Sequence, residues 1–151
     1  MRIPVAVAVA VPYIALEVVW LSFSISRIYA PLYARVQGTE AWERKSSAQI
    51  AVAAVVAYAI LVAGISMFAL DGDPSRMSYR AAAARGAMFG FVVYGVYNLT
   101  NFVAFRDWSA ATSLLDTTWG TVVVAVVSVA AKFICEISDT RRPAPPTDIS
   151  E

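Results

Sequence analysis

Apolar residues in this chain do not alternate with polar ones; they run together in four stretches of membrane-spanning length, about twenty residues or more each. The stretches cover roughly 3–25, 48–70, 81–103 and 109–137, and the chemistry between them changes abruptly. "SRIYAPLYARVQGTEAWERKSS" is polar and charged, "DGDPSRMSYR" carries the Gly and Pro of a turn, and "FRDWS" offers Asp107 as a helix N-cap. Inside a bilayer every backbone N–H and C=O must find its partner within the protein, so such stretches fold as helices. The pattern predicts an all-α polytopic membrane protein: one bundle of four transmembrane helices over residues 1–138. The polar, proline-rich residues 139–151 read as an extended or disordered tail.

The first stretch has a rival reading. Arg2 followed by "IPVAVAVAV" could open a secretory leader with "AVA" as its cleavage site. The apolar run continues through "YIALEVVWLSFSI", longer than a leader core, which favours a retained helix. Pro4 suits a helix start, whereas Pro12 falls inside and is expected to kink the helix.

Composition agrees with the pattern and narrows the chemistry. The chain has 151 residues, 59% hydrophobic and 15% charged, with a mean hydropathy of +0.62; that charge is too little to cover a soluble domain. A net charge of +1 gives no reason to expect a nucleic-acid partner. With no histidine and a single cysteine, Cys135, the usual zinc sites, His-centred triads and Cys–His nucleophiles are ruled out. No metal or cofactor is expected from these residues. Lys and Arg number seven on the side of the termini and the 71–80 loop, and five on the other. The positive-inside rule thus places the termini on the cytoplasmic-equivalent side. Tyr29, Tyr33, Trp42 and Trp108 fit an aromatic belt at the opposite interface.

Polar residues within the spans fall on faces. In the third stretch, Ala82, Gly86, Gly90, Tyr94 and Asn98 follow at i+4 steps, with Asn101 at i+3 after them. Small residues on such a stripe permit close helix approach, so Gly86, Gly90, Gly95 and Gly120 are expected to serve helix packing within the bundle. The first stretch presents Tyr13, Glu17, Trp20 and Ser24 on one face, and the fourth presents Asp116, Trp119, Gly120 and Val123. Chain direction puts Glu17, Asn98, Asn101 and Asp116 in one leaflet, opposite the termini. The short third-to-fourth connection makes those helices antiparallel neighbours. The candidate intramembrane cluster is therefore Glu17, Trp20, Tyr94, Tyr97, Asn98, Thr100, Asn101, Asp116, Trp119 and Thr121.

A carboxylate at mid-membrane costs on the order of 2.5–3.5 kcal/mol on insertion scales, so Glu17 and Asp116 should face the interior with partners. No Lys or Arg lies at their depth; Arg85 and Lys132 sit near the other interface. The acids must be protonated, hydrogen-bonded to neutral donors, or paired with a cation from outside. Asn98, Thr100 and Asn101 read more readily as interhelical glue, at roughly 0.6 kcal/mol per bond. The Asn98-Leu99-Thr100 sequon would lie within the bilayer, inaccessible to glycosylation.

"YGVYNLTN" (Tyr94 to Asn101), "LDTTWGT" (Leu115 to Thr121) and "LEVVWL" (Leu16 to Leu21) resemble the signatures of a family of four-helix bacterial membrane proteins of unknown function. The resemblance covers nearly the whole chain except the tail and implies the four-helix fold. In that family the middle motif usually reads Tyr-Gly-x-Tyr-Asp-Leu-Thr-Asn. Here Asn98 stands where the family usually has Asp, and Glu17 likewise replaces Asp, which weakens any shared proton- or cation-handling role. Three functional readings follow. The preferred one is a binding or assembly module, an accessory subunit of a larger membrane complex, with lipid and other membrane subunits as partners. The second is a small proton- or cation-coupled transporter using Glu17 and Asp116; the third is a lipid-acting membrane enzyme, for which no catalytic residue or motif is found.

Overall fold

The computed structural model describes residues 4–38, 45–71 and 73–140. Among these residues, four helices are long and apolar enough to cross a membrane: α1 (Val5–Gln37), α2 (Ser47–Ala69), α3 (Tyr79–Ala104) and α4 (Ala110–Thr140). A short 3₁₀ turn, Pro74–Arg76, links α2 to α3. Among the described residues there is no strand. The chain is an all-α, multi-pass integral membrane protein.

α1 does not stop at Ile25, where hydropathy falls. It passes through a π-helical turn over Ile25–Tyr29 and continues as α-helix over Ala30–Gln37, so much of the stretch read as a polar loop is helical. Its 33 residues make a helix about 50 Å long, against a hydrocarbon core of about 30 Å. The π-turn, marked by the bond from Ala30 N–H back to the Ile25 carbonyl, comes directly before Pro31. A proline lacks the N–H and crowds the carbonyl one turn back; a widened turn relieves that conflict without ending the helix. Gly38, at φ 81°, terminates α1. Upstream, α1 runs unbroken through Pro12.

The other boundaries follow capping chemistry. Ser46 and Gln49 form a reciprocal capping box at the start of α2, and Ser78 Oγ accepts from Ala81 N–H at the start of α3. At the start of α4 the cap is Ser109, whose Oγ accepts from Thr112 N–H (3.2 Å); Asp107, the cap expected from the pattern, is not used. α4 continues through Thr140, so Asp139 and Thr140 of the expected tail are helical. The rest of that tail, and Trp42 of the expected belt, lie outside the described residues.

α3 and α4 pack most closely, α1 lies against α4, and α2 touches the rest lightly. None of the residues Ser47–Gly64 is buried. The apolar core is small, built around Val9, Tyr13, Ile65, Leu70, Val123, Val124, Val127 and Ala131; many other large apolar side chains, among them Val19, Val55, Leu99 and Leu114, face outward, as they should in lipid. The α3–α4 seam depends on bare backbone. A Cβ on Gly86 would stand 2.7 Å from the Val124 carbonyl, one on Gly90 would meet the Gly120 backbone, and one on Gly120 would enter the Tyr94 ring. Gly95 is buried, but a Cβ there would meet Thr117 at an ordinary 3.7 Å.

These spacings predict opposite outcomes for two identical changes. Gly120→Ala should destabilise the bundle by about 1–3 kcal/mol, as overpacked cores do. Gly95→Ala should be neutral or stabilising by up to about 1 kcal/mol, because glycine weakens a helix interior. Unfolding in mixed micelles with increasing denaturing detergent, followed by circular dichroism, compares the two.

Candidate functional site

At the end of the bundle nearest the α3–α4 turn, polar side chains from three helices meet in two hydrogen-bonded branches. The first centres on Glu17, which is 6% exposed. Its Oε1 accepts from Trp119 Nε1 of α4 (2.9 Å) and from the Tyr94 hydroxyl of α3 (3.3 Å). The Tyr13 and Tyr94 hydroxyls are 2.6 Å apart, so a chain of O–H groups ends on the carboxyl. Tyr58 of α2, edge-on to the Tyr13 ring with centroids 5.9 Å apart, also approaches Glu17.

The second branch centres on Asp116, 8% exposed and about 9 Å along α4 from its first residue at 1.5 Å per residue. Its Oδ2 accepts from Asn98 Nδ2 at 2.6 Å, and its Oδ1 accepts from the Tyr29 hydroxyl. Asn98 is fully buried and donates a second bond to the Tyr94 carbonyl one turn back (2.9 Å), which fixes its amide. Tyr29 in turn accepts from Trp20 Nε1 (3.2 Å). The branches join where Trp20 stacks on Trp119, with centroids 4.6 Å apart and planes within 12°. Every donor in these hydrogen bonds is uncharged. The nearest cations on α1 point elsewhere: the Arg27 guanidinium lies over the Phe23 ring, and Arg35 bonds back to the Pro31 carbonyl.

The two acids border two cavities. One, of about 550 Å³, is lined by Glu17 and Asp116 together with Trp20, Tyr29, Tyr33, Tyr94, Tyr97 and Trp119 and a few small apolar residues. The other, of about 650 Å³, opens toward α2 past Tyr13, Tyr58 and Leu61 and shares Glu17, Tyr33, Tyr94, Tyr97 and Asp116 with the first. Both volumes fall within the range of ligand pockets. An aromatic roof closes the turn end. Trp108 is buried, donates to Ser113 Oγ (2.9 Å), and meets Tyr33 and Tyr97 edge-on at 5.9 and 6.2 Å, while the Tyr33 and Tyr97 hydroxyls are 3.2 Å apart.

The structure thus brings together Glu17, Trp20, Tyr94, Asn98, Asp116 and Trp119, with Tyr97 at the rim. It leaves out three residues read from sequence as part of the cluster. Thr100 is exposed and donates to its own Val96 carbonyl, Thr121 donates to Thr117, and Asn101 contributes only its backbone carbonyl, to Phe105 N–H. Within helices a threonine hydroxyl readily satisfies itself on the preceding turn. Tyr29, Tyr33 and Trp108, expected at an interfacial belt, instead turn inward around the acids. The i, i+4 spacing of Tyr29 and Tyr33 was the available signal, and it carries meaning only once α1 is known to extend past Ile25. Among the described residues, no group of three or more His, Cys, Asp or Glu side chains comes together to hold a metal.

Tyr29→Phe removes one of the two donors on Asp116 while keeping the ring. The expected cost is on the order of 1 kcal/mol, within the range of intramembrane hydrogen bonds. Tyr33→Phe should cost less, since its hydroxyl bond to Tyr97 is exposed; paired thermal melts of the two variants in detergent check the order.

No curated protein and no solved structure matches the chain. The family comparison does return a match, over residues 3–133, to the model described as "Predicted membrane protein (DUF2177)"; this interval holds every residue of the polar network, and the chain belongs to that family of membrane proteins.

Proposed function

We propose that this is a binding protein of the bilayer whose buried acid pair, Glu17 and Asp116, takes up positive charge, either a proton or a cation. One observation carries the reading: two carboxyls lie inside one membrane bundle, both border cavities, and among the described residues both are held only by uncharged donors. Neutral donors orient a carboxylate but leave its charge uncompensated, and the desolvation of an unbalanced charge is expensive. Positive charge must therefore come from outside the network. Coupled transport would be one use of such a site.

A second reading, an accessory subunit of a larger membrane complex, is supported by α2. A spanning helix with none of Ser47–Gly64 buried leaves most of its circumference free for lipid or a neighbouring subunit. The two readings are compatible, because α2 meets the acid site through Tyr58 and its neighbours while the rest of its circumference faces away from the bundle.

Infrared difference spectroscopy of the protein in lipid nanodiscs tests the first reading. Between acid and alkaline buffer, or on adding a cation, the wild type should show a change in carboxyl bands. Subtracting the spectrum of each variant should reveal one component missing from Glu17→Gln and another missing from Asp116→Asn, both absent from the double variant, over the background of the chain's other carboxyls. Spectra of wild type and double variant that change identically would make the acids purely structural. Glu17→Gln should fold as the wild type does, since a side-chain carbonyl can still accept from Trp119 and Tyr94. Asp116→Asn should lose about 1 kcal/mol, because its new amide N–H₂ would confront the Asn98 donor; thermal melting separates the two.

A further inference from the structure

The larger question is what brings the positive charge. Resting on the cation-binding reading above, we infer that the cavity between α1, α3 and α4 receives an organic ammonium: a primary amine or quaternary nitrogen carried on an apolar body. Size, wall chemistry and charge converge on that class.

The cavity of about 550 Å³ is of ligand dimensions. A hard metal ion wants a close shell of six or more oxygen ligands. Here both Asp116 oxygens and Glu17 Oε1 already accept protein hydrogen bonds. The walls are instead aromatic, with Trp20, Tyr29, Tyr33, Tyr94, Tyr97 and Trp119 surrounding the space. Each ring face presents the negative side of its quadrupole, and rings of this kind attract ammonium groups by about 0.5–2 kcal/mol each, more as water is excluded. Leu21, Ile25 and Ala30 complete the lining with apolar surface for a hydrocarbon body. Among the described residues no Lys or Arg is in the lining, so an anionic group, or a zwitterionic one whose negative end entered first, would meet only repulsion from these side chains.

The geometry also explains why the two tryptophans stack. The Trp20–Trp119 pair ties the two acid branches together, since Trp119 donates to Glu17 and Trp20 to Tyr29 beside Asp116. A cation entering there would lie in a cavity lined by both carboxyls, with the ring pair as one wall.

The same nitrogen chemistry occurs on lipid headgroups and on free amines. The test uses the full chain in nanodiscs of phosphatidylglycerol, which carries no ammonium. Hexylammonium and tetraethylammonium chlorides are titrated against potassium chloride and hexanol, with tryptophan fluorescence and melting temperature as readouts. The ammonium salts should give a saturable fluorescence change and raise the melting temperature, while the two controls give neither. Trp20→Leu should weaken the response about five-fold and Trp20→Phe less, as a cation–π contact requires. The Glu17→Gln, Asp116→Asn double variant should weaken it about ten-fold or more, as loss of both charge partners requires. Circular dichroism confirms that each variant folds, and Trp20→Leu alone keeps the test decisive should the double variant not fold.

In parallel, nanodiscs containing phosphatidylethanolamine or phosphatidylcholine are examined by native mass spectrometry for retained lipid. Retention that free ammonium displaces makes the site a headgroup site; response to free ammonium without lipid retention makes it a site for a diffusible amine. Equal response to potassium or hexanol overturns the inference. No ammonium response alongside a persistent carboxyl infrared change overturns it too, but leaves cation binding standing; loss of both signals removes both.

Discussion

Tyr94 lies across the bare backbone of Gly120, and the polar site depends on that contact. Without a Cβ at Gly120 the ring can lie flat against α4, which lets α3 and α4 approach closely enough for Asn98 to reach Asp116. The same placement sends the Tyr94 hydroxyl toward Glu17 on α1, while the helix itself turns the Tyr94 carbonyl to Asn98 one turn on. In lipid, helices gain little from mutual burial of apolar surface, so close backbone approach and interhelical hydrogen bonds must carry association. Here one glycine serves both purposes, by admitting the ring and by setting the distance that the hydrogen bonds span.

The acids impose the converse constraint. Each carboxyl is held by donors on neighbouring helices, enough to fix its rotamer while adding no charge. Trp, Tyr and Asn suit this role because each donates while adding no charge. A Lys or Arg in the same place would have made a closed ion pair with little affinity for anything else. The choice of neutral donors keeps the carboxyls oriented, buried and electrostatically open.

Hydropathy made the four spans legible, because lipid-facing length is what it measures, and i+4 stepping along α3 made legible the stripe from Ala82 to Asn98. It failed beyond Ser24 for a specific reason. The α1 stripe runs Tyr13, Glu17, Trp20, Ser24, and an ideal helix would continue it at position 27 or 28. The π-turn inserts a residue, so the inward positions become Tyr29 and, further on, the buried Leu32. A register shift of this kind has no signature in hydrophobicity, and Arg27, Pro31 and Arg35 made the segment resemble a loop. Tyr58 was missed differently: it is the inward-turned side chain of a helix that is apolar all round, where no periodicity marks a face. Thr100 and Thr121 were misplaced because a helical threonine can satisfy itself, so its presence in a span says little about where it points.

The opposite end of the bundle shows what the same chain does with an acid it means to neutralise. There Lys132, 3% exposed, reaches Glu136 at 2.9 Å and lies over the Tyr79 ring, 4.2 Å from its centroid, while Tyr79 donates to the same Glu136 oxygen at 2.6 Å. An acid, an aromatic ring and an ammonium are assembled entirely from α3 and α4. Around Glu17 and Asp116 the chain repeats two parts of that arrangement, acids and aromatic rings with hydroxyl donors, and provides a cavity where the third would stand. Among the described residues the first site thus contains its own ammonium and the second contains none, so the two ends share acids and aromatic hydroxyl donors but differ in what stands against the acids.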